Sequence, residues 1–424
     1  MIATFRSLNG FNYRLWAAGA LVSNIGTWMQ RTAQDWLVLT GLTHHNATAV
    51  GTVMALQFGP RVVLLPLTGY AADRFELRKL LYVTQALLAL LALGLGLMTL
   101  SGHIQLWHVY GFAFGLGCVT AFDAPARQAF VSELVEPKDL PNAVGLNSTS
   151  FNAARMIGPA VAGLLIAGVG TGWVFVLNAA SFVAVLISLT QLRGAELQTR
   201  RVGQSPGKLF DGFVYVWQRR DLRGAMLMFC IIGTFALNLP IFVSTMSAIT
   251  FGRGPGEYGL ATSVMAIGSV TGALFIASQS APSFKRLLLS ASAMAVAFAL
   301  AGLAPSYITF CLALVSVGVS VQSFTTGANS YIQLNTAPHM RGRVLAIMLA
   351  VALGTTPLGA PLVGWIADHW SPRWSLAVGS VAGLVAAAVG FYFLRATNSG
   401  LGTEQPPSPA RRPPDLSPTP PPGR

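Results

Sequence analysis

Charged side chains are scarce in this sequence. Asp, Glu, Lys and Arg make up only 10% of its 424 residues, whereas 53% of the residues are hydrophobic. The mean hydropathy is +0.58. A soluble domain of this size could not bury so much apolar surface, because its outside must carry polar groups. The composition therefore excludes a soluble globular protein and indicates that most of the chain lies in lipid.

Cysteine, histidine and catalytic motifs are also scarce. Cys118, Cys230 and Cys311 fall within apolar stretches of different parts of the chain, which is typical of small buried side chains rather than disulfides. The six histidines stand mainly in loops and at the ends of apolar stretches, and the sequence contains no His-Glu-x-x-His or Gly-x-Ser-x-Gly motif. We therefore expect no enzymatic activity, no catalytic residue, no metal and no cofactor.

Twelve long apolar stretches occupy the chain, six on each side of a basic, polar middle. Polar breaks stand near residues 42, 75, 103, 135, 170, 207, 254, 282, 304, 338 and 370. They leave about 20 residues or more per stretch, enough for an α-helix to cross a bilayer. The pattern predicts an all-α membrane protein with twelve transmembrane helices in two pseudo-symmetric bundles of six. The predicted parts are a first bundle at 1–193, a linker at 194–221, a second bundle at 222–395 and a tail at 396–424.

The net charge of +13 is unevenly placed. If the N-terminus lies inside the cell, Arg253 and Arg373 are the only basic residues in the outward-facing loops, whereas the inner segments are rich in Arg and Lys. This asymmetry predicts a multi-pass protein of the plasma membrane with both termini in the cytoplasm. It explains the basicity without a nucleic-acid partner. The first stretch begins after Arg14 and is too long for a cleavable signal, so none is expected.

The linker and the tail differ in composition from the bundles. Ser205 and Pro206 suit the start of a helix. The apolar residues that follow recur at helical spacing: Leu209, Phe210, Phe213, Val216 and Trp217. They predict an amphipathic helix on the inner leaflet. The tail after Arg395 is rich in proline, which predicts a disordered cytoplasmic segment.

The two halves contain matching positions at a constant sequence separation. Gly158-Pro159 corresponds to Ala360-Pro361, and Phe122 corresponds to Phe324. A duplicated six-helix unit is typical of transporters that alternate access to a site between their halves.

The loop between the second and third stretches carries a recognisable motif. It reads Gly69-Tyr70-Ala71-Ala72-Asp73-Arg74-Phe75-Glu76-Leu77-Arg78-Lys79. This loop resembles the signature loop of the major facilitator superfamily. The resemblance implies the fold of that superfamily and a cytoplasmic gate, in which Asp73 faces the start of the eleventh helix near Arg341. The implied gate residues are Gly69, Asp73, Arg74, Arg78 and Lys79. Glu76 and Leu77 depart from the usual residues of the motif.

The fifth stretch carries a second motif. Gly145, Gly158, Pro159 and Gly163 follow the spacing of the superfamily motif associated with antiporters, although two of its usual glycines are alanine here. This similarity favours export; the alternative is a closely packed, kinked helix without directional meaning. Segments 34–39 and 121–128 resemble an exporter branch that includes enterobactin exporters and drug and macrolide efflux proteins.

Ionisable residues within the apolar stretches are concentrated in the first half. Arg31 and Asp35 lie one turn apart on the first helix, Arg61 lies on the second and Arg155 on the fifth. Each unpaired charge in the membrane costs at least ~2.5–3.5 kcal/mol, so we expect these four residues at a central cavity. Asp35 is the best candidate for a proton carrier, provided that its partner changes between states; the alternative is a fixed ion pair with Arg31.

The balance of these charges favours an anionic or neutral amphiphile as the solute, since three arginines face one aspartate. Asp123 and Arg127 stand near the inner end of the fourth helix. We expect them at the cytoplasmic gate; an ordinary ion pair at a helix end is the alternative.

Together these patterns predict a secondary active transporter. We expect it to export a small molecule, such as a siderophore-like compound, a drug or another amphiphilic natural product, in exchange for protons. The expected partners are this solute, protons and the lipid bilayer, and the protein is expected to act as a monomer. An importer or an uncoupled facilitator on the same fold is an open alternative.

Overall fold

The computed structural model describes residues 3–198, 209–279, 283–338 and 340–399, and these residues are largely helical. The first half contains α1 (Phe11–Trp36), α2 (Ala47–Val63), α3 (Leu65–Arg74), α4 (Leu77–Leu100), α5 (Leu106–Leu134), α6 (Leu140–Val169) and α7 (Thr171–Gln191). The second half contains α8 (Leu209–Gln218), α9 (Arg220–Phe235), α10 (Leu239–Thr245), α11 (Pro255–Ala277), α12 (Phe284–Leu303), α13 (Tyr307–Asn335), α14 (Arg341–His369) and α15 (Pro372–Ser399). The predicted all-α fold is confirmed.

Ten segments in the described part of the chain are long and apolar enough to cross a membrane. They are α4 to α7, the unit Arg220–Thr250 that includes α9 and α10, and α11 to α15. Two further segments complete the predicted twelve crossings. The first is α1, which carries polar side chains and continues into a π-helical segment, Leu37–Leu42. The second is α2, which has only 17 residues but continues into α3 after a break at Leu64.

The ends of the crossing helices fall at the breaks expected from hydropathy. Successive crossings run in opposite directions, so the turns between them lie on two faces of the molecule. We call the face with the start of α1 the termini side and the other face the opposite side. The turns on the opposite side are 43–46, 101–105, 170, 251–254, 304–306 and 370–371.

The helices pack as two bundles around a shared interface. In the first half, α1 packs on α6 and α7, and α4 packs on α5 and α7. In the second half, α11 and α12 both pack on α13, and α15 packs on α9 and α12. The main contacts between the halves are those of α2 with α14 and of α6 with α11. These two helix pairs therefore form most of the contact between the halves.

The predicted amphipathic helix exists as α8 and docks on the second half. Val216 is buried, whereas Phe213 and Trp217 are about half exposed and stack on each other with 5.6 Å between ring centroids. The hydroxyl of Tyr215 accepts a hydrogen bond from the backbone N–H of Ala337 at 3.2 Å. An exposed aromatic pair beside a bundle end suits the membrane interface. The predicted helix start at Ser205-Pro206 and residues 400–424 of the predicted tail lie outside the described residues. Residues 396–399, predicted as the start of the disordered tail, belong to α15 instead.

Candidate functional site

A cavity of ≈ 200 Å³ lies between the two bundles. The first half contributes Trp28, Arg31, Thr32, Asp35, Met54, Gln57, Phe58, Arg155 and Pro159 to its walls. The second half contributes Leu237, Leu239, Pro240, Val243, Tyr258, Thr262, Met265, Ala266 and Thr356. Three of the four residues predicted for a central cavity, Arg31, Asp35 and Arg155, therefore line one cavity, and both halves form it.

Asp35 connects the two bundles through a hydrogen bond. It lies near the end of α1 and is buried, with 8% of its surface exposed. Its Oδ2 accepts a hydrogen bond from the hydroxyl of Tyr258, on α11, at 3.3 Å. The ring of Trp36 stacks on the same tyrosine, with 5.9 Å between centroids. The carboxylate expected to carry a proton is thus held at the contact between the halves.

Arg31 points to aromatic rings rather than to Asp35. Although the two residues are one turn apart on α1, no ion pair at or below 4.0 Å joins them in the described structure. The guanidinium of Arg31 lies 5.0 Å from the ring centroid of Trp28 and 5.9 Å from that of Phe58. Its Nε is buried and has no hydrogen-bond partner among the described residues. The fixed ion pair considered from the sequence is therefore not formed in this conformation.

Two further arginines lie near the rings that Arg31 contacts: Arg155 near Trp28 and Arg61 near Phe58. The guanidinium of Arg155 lies 5.8 Å from the centroid of Trp28, and its Nη1 donates to Gln322 Oε1 of the second half at 3.4 Å. Arg61 lies 5.0 Å from the centroid of Phe58, behind the cavity wall, and its Nε donates to Thr120 Oγ1 at 3.0 Å. Cation–π contacts are worth ~2 kcal/mol or more away from water, so the rings stabilise these buried charges.

The closest backbone contacts between the bundles lie beyond the cavity, towards the opposite side of the molecule. A Cβ on Gly163 of α6 would lie 2.6 Å from the carbonyl oxygen of Pro255, at the start of α11. A Cβ on Gly259 of α11 would overlap the carbonyl oxygen of Pro159. Only glycine permits such a close approach of two backbones. This side is therefore closed by direct contact of α6 with α11.

The other glycines of the predicted antiporter motif have different environments. A Cβ on Gly158 would lie 2.6 Å from Cβ of Trp28, so Gly158 permits close packing of α6 on α1 within the first bundle. A Cβ on Gly145 would meet nothing within 4 Å among the described residues. The motif residues thus serve two interfaces, of which only the one at Pro159 and Gly163 joins the halves.

The signature motif lies on the termini side: residues 69–74 end α3, 75–76 form the turn, and 77–79 begin α4. The side chain of Asp73 is outside the described part of the structure, so the roles of Gly69 and Asp73 in the gate and the predicted contact of Asp73 near Arg341 stay predictions. Arg74 is exposed, and Lys79 forms an exposed ion pair with Glu76 at 2.8 Å. Arg78 binds the end of α7: its Nε and Nη2 donate to the carbonyl oxygen of Leu189 at 3.0 and 2.6 Å.

We expect Arg78→Ala to lower the free energy of unfolding by about 1–3 kcal/mol, because charged hydrogen bonds to the last carbonyl groups of α7 are lost. Denaturant unfolding in detergent micelles measures this loss. Lys79→Ala is the matched control, since the Lys79 side chain is 80% exposed and its ion pair is worth little. Equal losses in both variants would show that Arg78 does not stabilise the end of α7.

The predicted pair Asp123–Arg127 is formed, but inside the first bundle. Arg127 Nε lies 3.3 Å from Asp123 Oδ2, and Asp123 Oδ1 accepts hydrogen bonds from Thr84 Oγ1 at 2.8 Å and Gln85 Nε2 at 2.6 Å. The arginine also lies 5.7 Å from the ring centroid of Trp16. These contacts connect α5 to α4 and α1 rather than to the second half, so a role of this pair in the gate stays a prediction.

Two features of the site were not anticipated from the sequence. One is Tyr258, which stands 223 residues after its partner Asp35. The other is a break between α9 and α10, where Asn238 Nδ2 donates to the carbonyl oxygen of Thr234 at 2.7 Å and Leu237, Leu239 and Pro240 face the cavity. Broken helices beside the central site are typical of transporters. The sequence signal for this break is the presence of Asn238 and Pro240 within an apolar stretch.

Two six-helix bundles with a cavity between them are the architecture of many transporters built from internal repeats. A family model described as "Transmembrane secretion effector" matches residues 3–412, and the chain belongs to this family of the major facilitator superfamily. The recognition made from the signature loop is therefore confirmed.

The chain is similar along most of its length to bacterial exporters and transporters. It is 25% identical to the Staphyloferrin A transporter of Staphylococcus aureus over 386 residues, which are 87% of this chain and 93% of that protein. It is 28% identical to the multidrug efflux pump Tap of Mycolicibacterium fortuitum, over 82% and 87% of the two chains. It is 24% identical to the enterobactin exporter EntS of Shigella flexneri, over 82% and 83%. The predicted exporter branch is thus confirmed, and these relatives are transporters rather than enzymes.

Solved structures support the same fold. A bacterial homologue of the human lysosomal transporter Spinster, in an inward-facing and unoccupied conformation, aligns with a TM-score of 0.70 at 15% identity. The alignment covers 92% of this chain and 98% of that one. At this identity the likeness establishes the fold alone.

Proposed function

We propose that this protein exports a small amphiphilic natural product or drug from the cytoplasm in exchange for protons. The observation that carries the proposal is the cavity between the bundles, where Asp35 of the first half bonds to Tyr258 of the second. A titratable group at this contact can connect proton binding to the relative position of the halves. The names of the similar siderophore and multidrug transporters support export.

The proposed topology places the termini side in the cytoplasm of the cell and the protein in the plasma membrane. The support is the charge distribution, because Arg253 in the 251–254 turn and Arg373 in the first turn of α15 are the only Arg or Lys residues at the opposite side. The bundles 1–193 and 222–395 are then the two moving bodies, and the linker 194–221 and the tail 396–424 are cytoplasmic. With the opposite side closed, the conformation in the structure suits loading from the cytoplasm.

The proposed coupling uses Asp35 as the proton carrier. Outside the cell, the carboxylate takes up a proton as the solute leaves; after closure of the opposite side, it releases the proton to the cytoplasm and solute binds. The absence of a close Arg31–Asp35 pair in this conformation supports the proposal, since a permanent pair would keep the carboxylate charged. Arg31 can instead pair with Asp35 in another conformation, or with an anionic solute.

The proposed solute is an anion with apolar surface, or a neutral amphiphile. Arg31, Arg61 and Arg155 face a single acidic residue, Asp35, at or beside the cavity. Trp28 and Phe58 add aromatic walls on which an apolar part of the solute can pack. A lipophilic cation would meet an unfavourable positive field in this cavity.

The test measures transport of solute into proteoliposomes. Molecules inserted in the wrong orientation are blocked, so that only those with the opposite side facing the lumen are active. An acidic lumen should drive accumulation of siderophore-like carboxylates, and a protonophore should abolish the accumulation. Cationic dyes should accumulate least. Equilibration without accumulation would instead identify an uncoupled facilitator, and accumulation under the reversed pH gradient would identify a solute–proton symporter that imports.

A further inference from the structure

Asp368 binds the start of α2 across the interface between the bundles. It lies in the last turn of α14, on the opposite side of the molecule. Its Oδ1 accepts a hydrogen bond from the backbone N–H of Ala47 at 2.6 Å. Its Oδ2 accepts from the backbone N–H and the hydroxyl of Thr48, at 2.8 and 2.5 Å. Both carboxylate oxygens of a second-half residue thus cap a helix of the first half.

The first turn of α2 depends on this contact for its hydrogen bonds. The first N–H groups of an α-helix have no partner within the helix itself. Asn46, the residue before α2, accepts a bond from the N–H of Ala49 at 2.8 Å, but the N–H groups of Ala47 and Thr48 bind Asp368. A carboxylate at this end also interacts favourably with the helix dipole. The capping is therefore complete only while the two halves are in contact.

The backbones of α2 and α14 touch at the same place. A Cβ on Gly364 would lie 2.5 Å from the carbonyl oxygen of Ala47, and a Cβ on Gly51 would overlap the carbonyl oxygen of Ala360. Further towards the termini side, a Cβ on Gly354 would be 3.7 Å from the nearest atoms of Val62. Asp368 thus stands at the tight end of this helix pair.

The sequence around Asp368 repeats that of the signature loop. Gly364-Trp365-Ile366-Ala367-Asp368-His369 matches Gly69-Tyr70-Ala71-Ala72-Asp73-Arg74 in its glycine, its aromatic residue, its second alanine, its aspartate and its final basic residue. The signature loop ends α3 on the termini side, whereas this copy ends α14 on the opposite side. The same residues thus occur at both faces of the molecule.

We propose that Asp368 is a latch that holds the opposite side closed, and that its bonds to Ala47 and Thr48 break when this side opens. In that open conformation, water replaces Asp368 at the N–H groups of α2. The latch therefore sets the ratio of the two conformations. The proposal rests on the alternating-access part of the proposed function, but not on the solute, the direction of transport or the coupling ion.

The test measures the distance between the halves on the opposite side. Spin labels are attached at His103→Cys, in the α4–α5 turn, and Arg253→Cys, before α11, in a chain with Cys118, Cys230 and Cys311 replaced by alanine. Pulsed electron paramagnetic resonance in nanodiscs then gives the populations with short and long distances. We expect Asp368→Ala to raise the ratio of long to short distances about tenfold, which lies within the range for a carboxylate at a helix N-terminus.

The matched control removes a cap from the same helix without affecting the contact between the halves. Asn46→Ala deletes the bond to Ala49 and should leave the ratio within about twofold of the parent, since this bond lies within the first half. An equal rise in both variants would indicate fraying of α2 and would overturn the latch.

An unchanged ratio in Asp368→Ala would also overturn the proposal, whether or not the protein transports any solute tested. If this variant does not fold, Asp368→Asn replaces it, because the amide keeps one acceptor oxygen but lacks the charge. The ratio should then rise about threefold. Because distances are measured rather than flux, a failed transport assay and a failed latch are distinguishable.

Discussion

Asp35→Asn is expected to abolish proton-driven accumulation while leaving the protein folded and able to exchange solute. Asparagine has almost the shape of aspartate, and its Oδ1 can still accept the hydrogen bond from Tyr258. It cannot take up or release a proton. If one proton is exchanged for one solute and the membrane potential is clamped at zero, each unit of pH difference drives about tenfold accumulation. At a difference of two pH units, the parent should therefore accumulate the solute about 100-fold and the variant not at all.

Two assays separate loss of coupling from loss of transport. Accumulation under a pH gradient measures coupling, whereas exchange of labelled for unlabelled solute at equal pH does not require proton release. The parent should perform both, and Asp35→Asn only the second. Glu136→Gln is the control: this carboxylate lies in a turn on the termini side, is 59% exposed and pairs with Lys138. It should change neither assay.

Undiminished accumulation by Asp35→Asn would remove Asp35 from the coupling mechanism. Loss of exchange as well, in a variant with unchanged thermal stability, would mean that the charge on Asp35 is needed for solute binding or for movement of the bundles.

The helices could be predicted from the sequence because lipid imposes a strong and local pattern. Apolar stretches must be long enough to cross the bilayer, so the polar breaks between them mark the helix ends. The exceptions are informative. The first helix is less apolar than the other crossing helices, because it carries Arg31, Asp35 and several other polar side chains. The break between α9 and α10 was missed because its neighbours are apolar on both sides.

The partners of the site residues could not be predicted, because they depend on packing between distant segments. Helical spacing placed Arg31 and Asp35 on one face of α1. In the structure, Arg31 instead lies near the rings of Trp28 and Phe58, and Asp35 accepts a hydrogen bond from Tyr258. Which contacts form depends on side chains that other helices bring to the cavity, so helical spacing alone cannot choose among them. The latch at Asp368 was missed for a related reason: an aspartate at a helix end is unremarkable until the other helix is placed beside it.

Gly259→Ala is expected to have the second large effect, by preventing close contact of α6 with α11. The added methyl group would overlap the carbonyl oxygen of Pro159 and would lie 3.1 Å from the Cα of Gly163. Backbone atoms cannot move aside as a flexible side chain can, so the two helices must separate. Overpacking of this kind costs about 1–3 kcal/mol. Because Pro159 and Gly259 belong to different halves, this cost applies only to the conformation with the opposite side closed.

A shift of this size changes the ratio of the two conformations about 5- to 150-fold in favour of opening on the opposite side. Transport needs both conformations, so we expect the initial rate of gradient-driven transport to fall at least about fivefold. Gly256→Ala is the matched control: it lies on the same helix three residues earlier, where a Cβ meets nothing within 4 Å among the described residues, and it should transport at the parental rate. The distance between spin labels at positions 103 and 253 should lengthen in Gly259→Ala only. Normal transport and short distances in that variant would show that the α6–α11 contact does not control closure. The role of Pro159 and Gly163 would then be confined to packing.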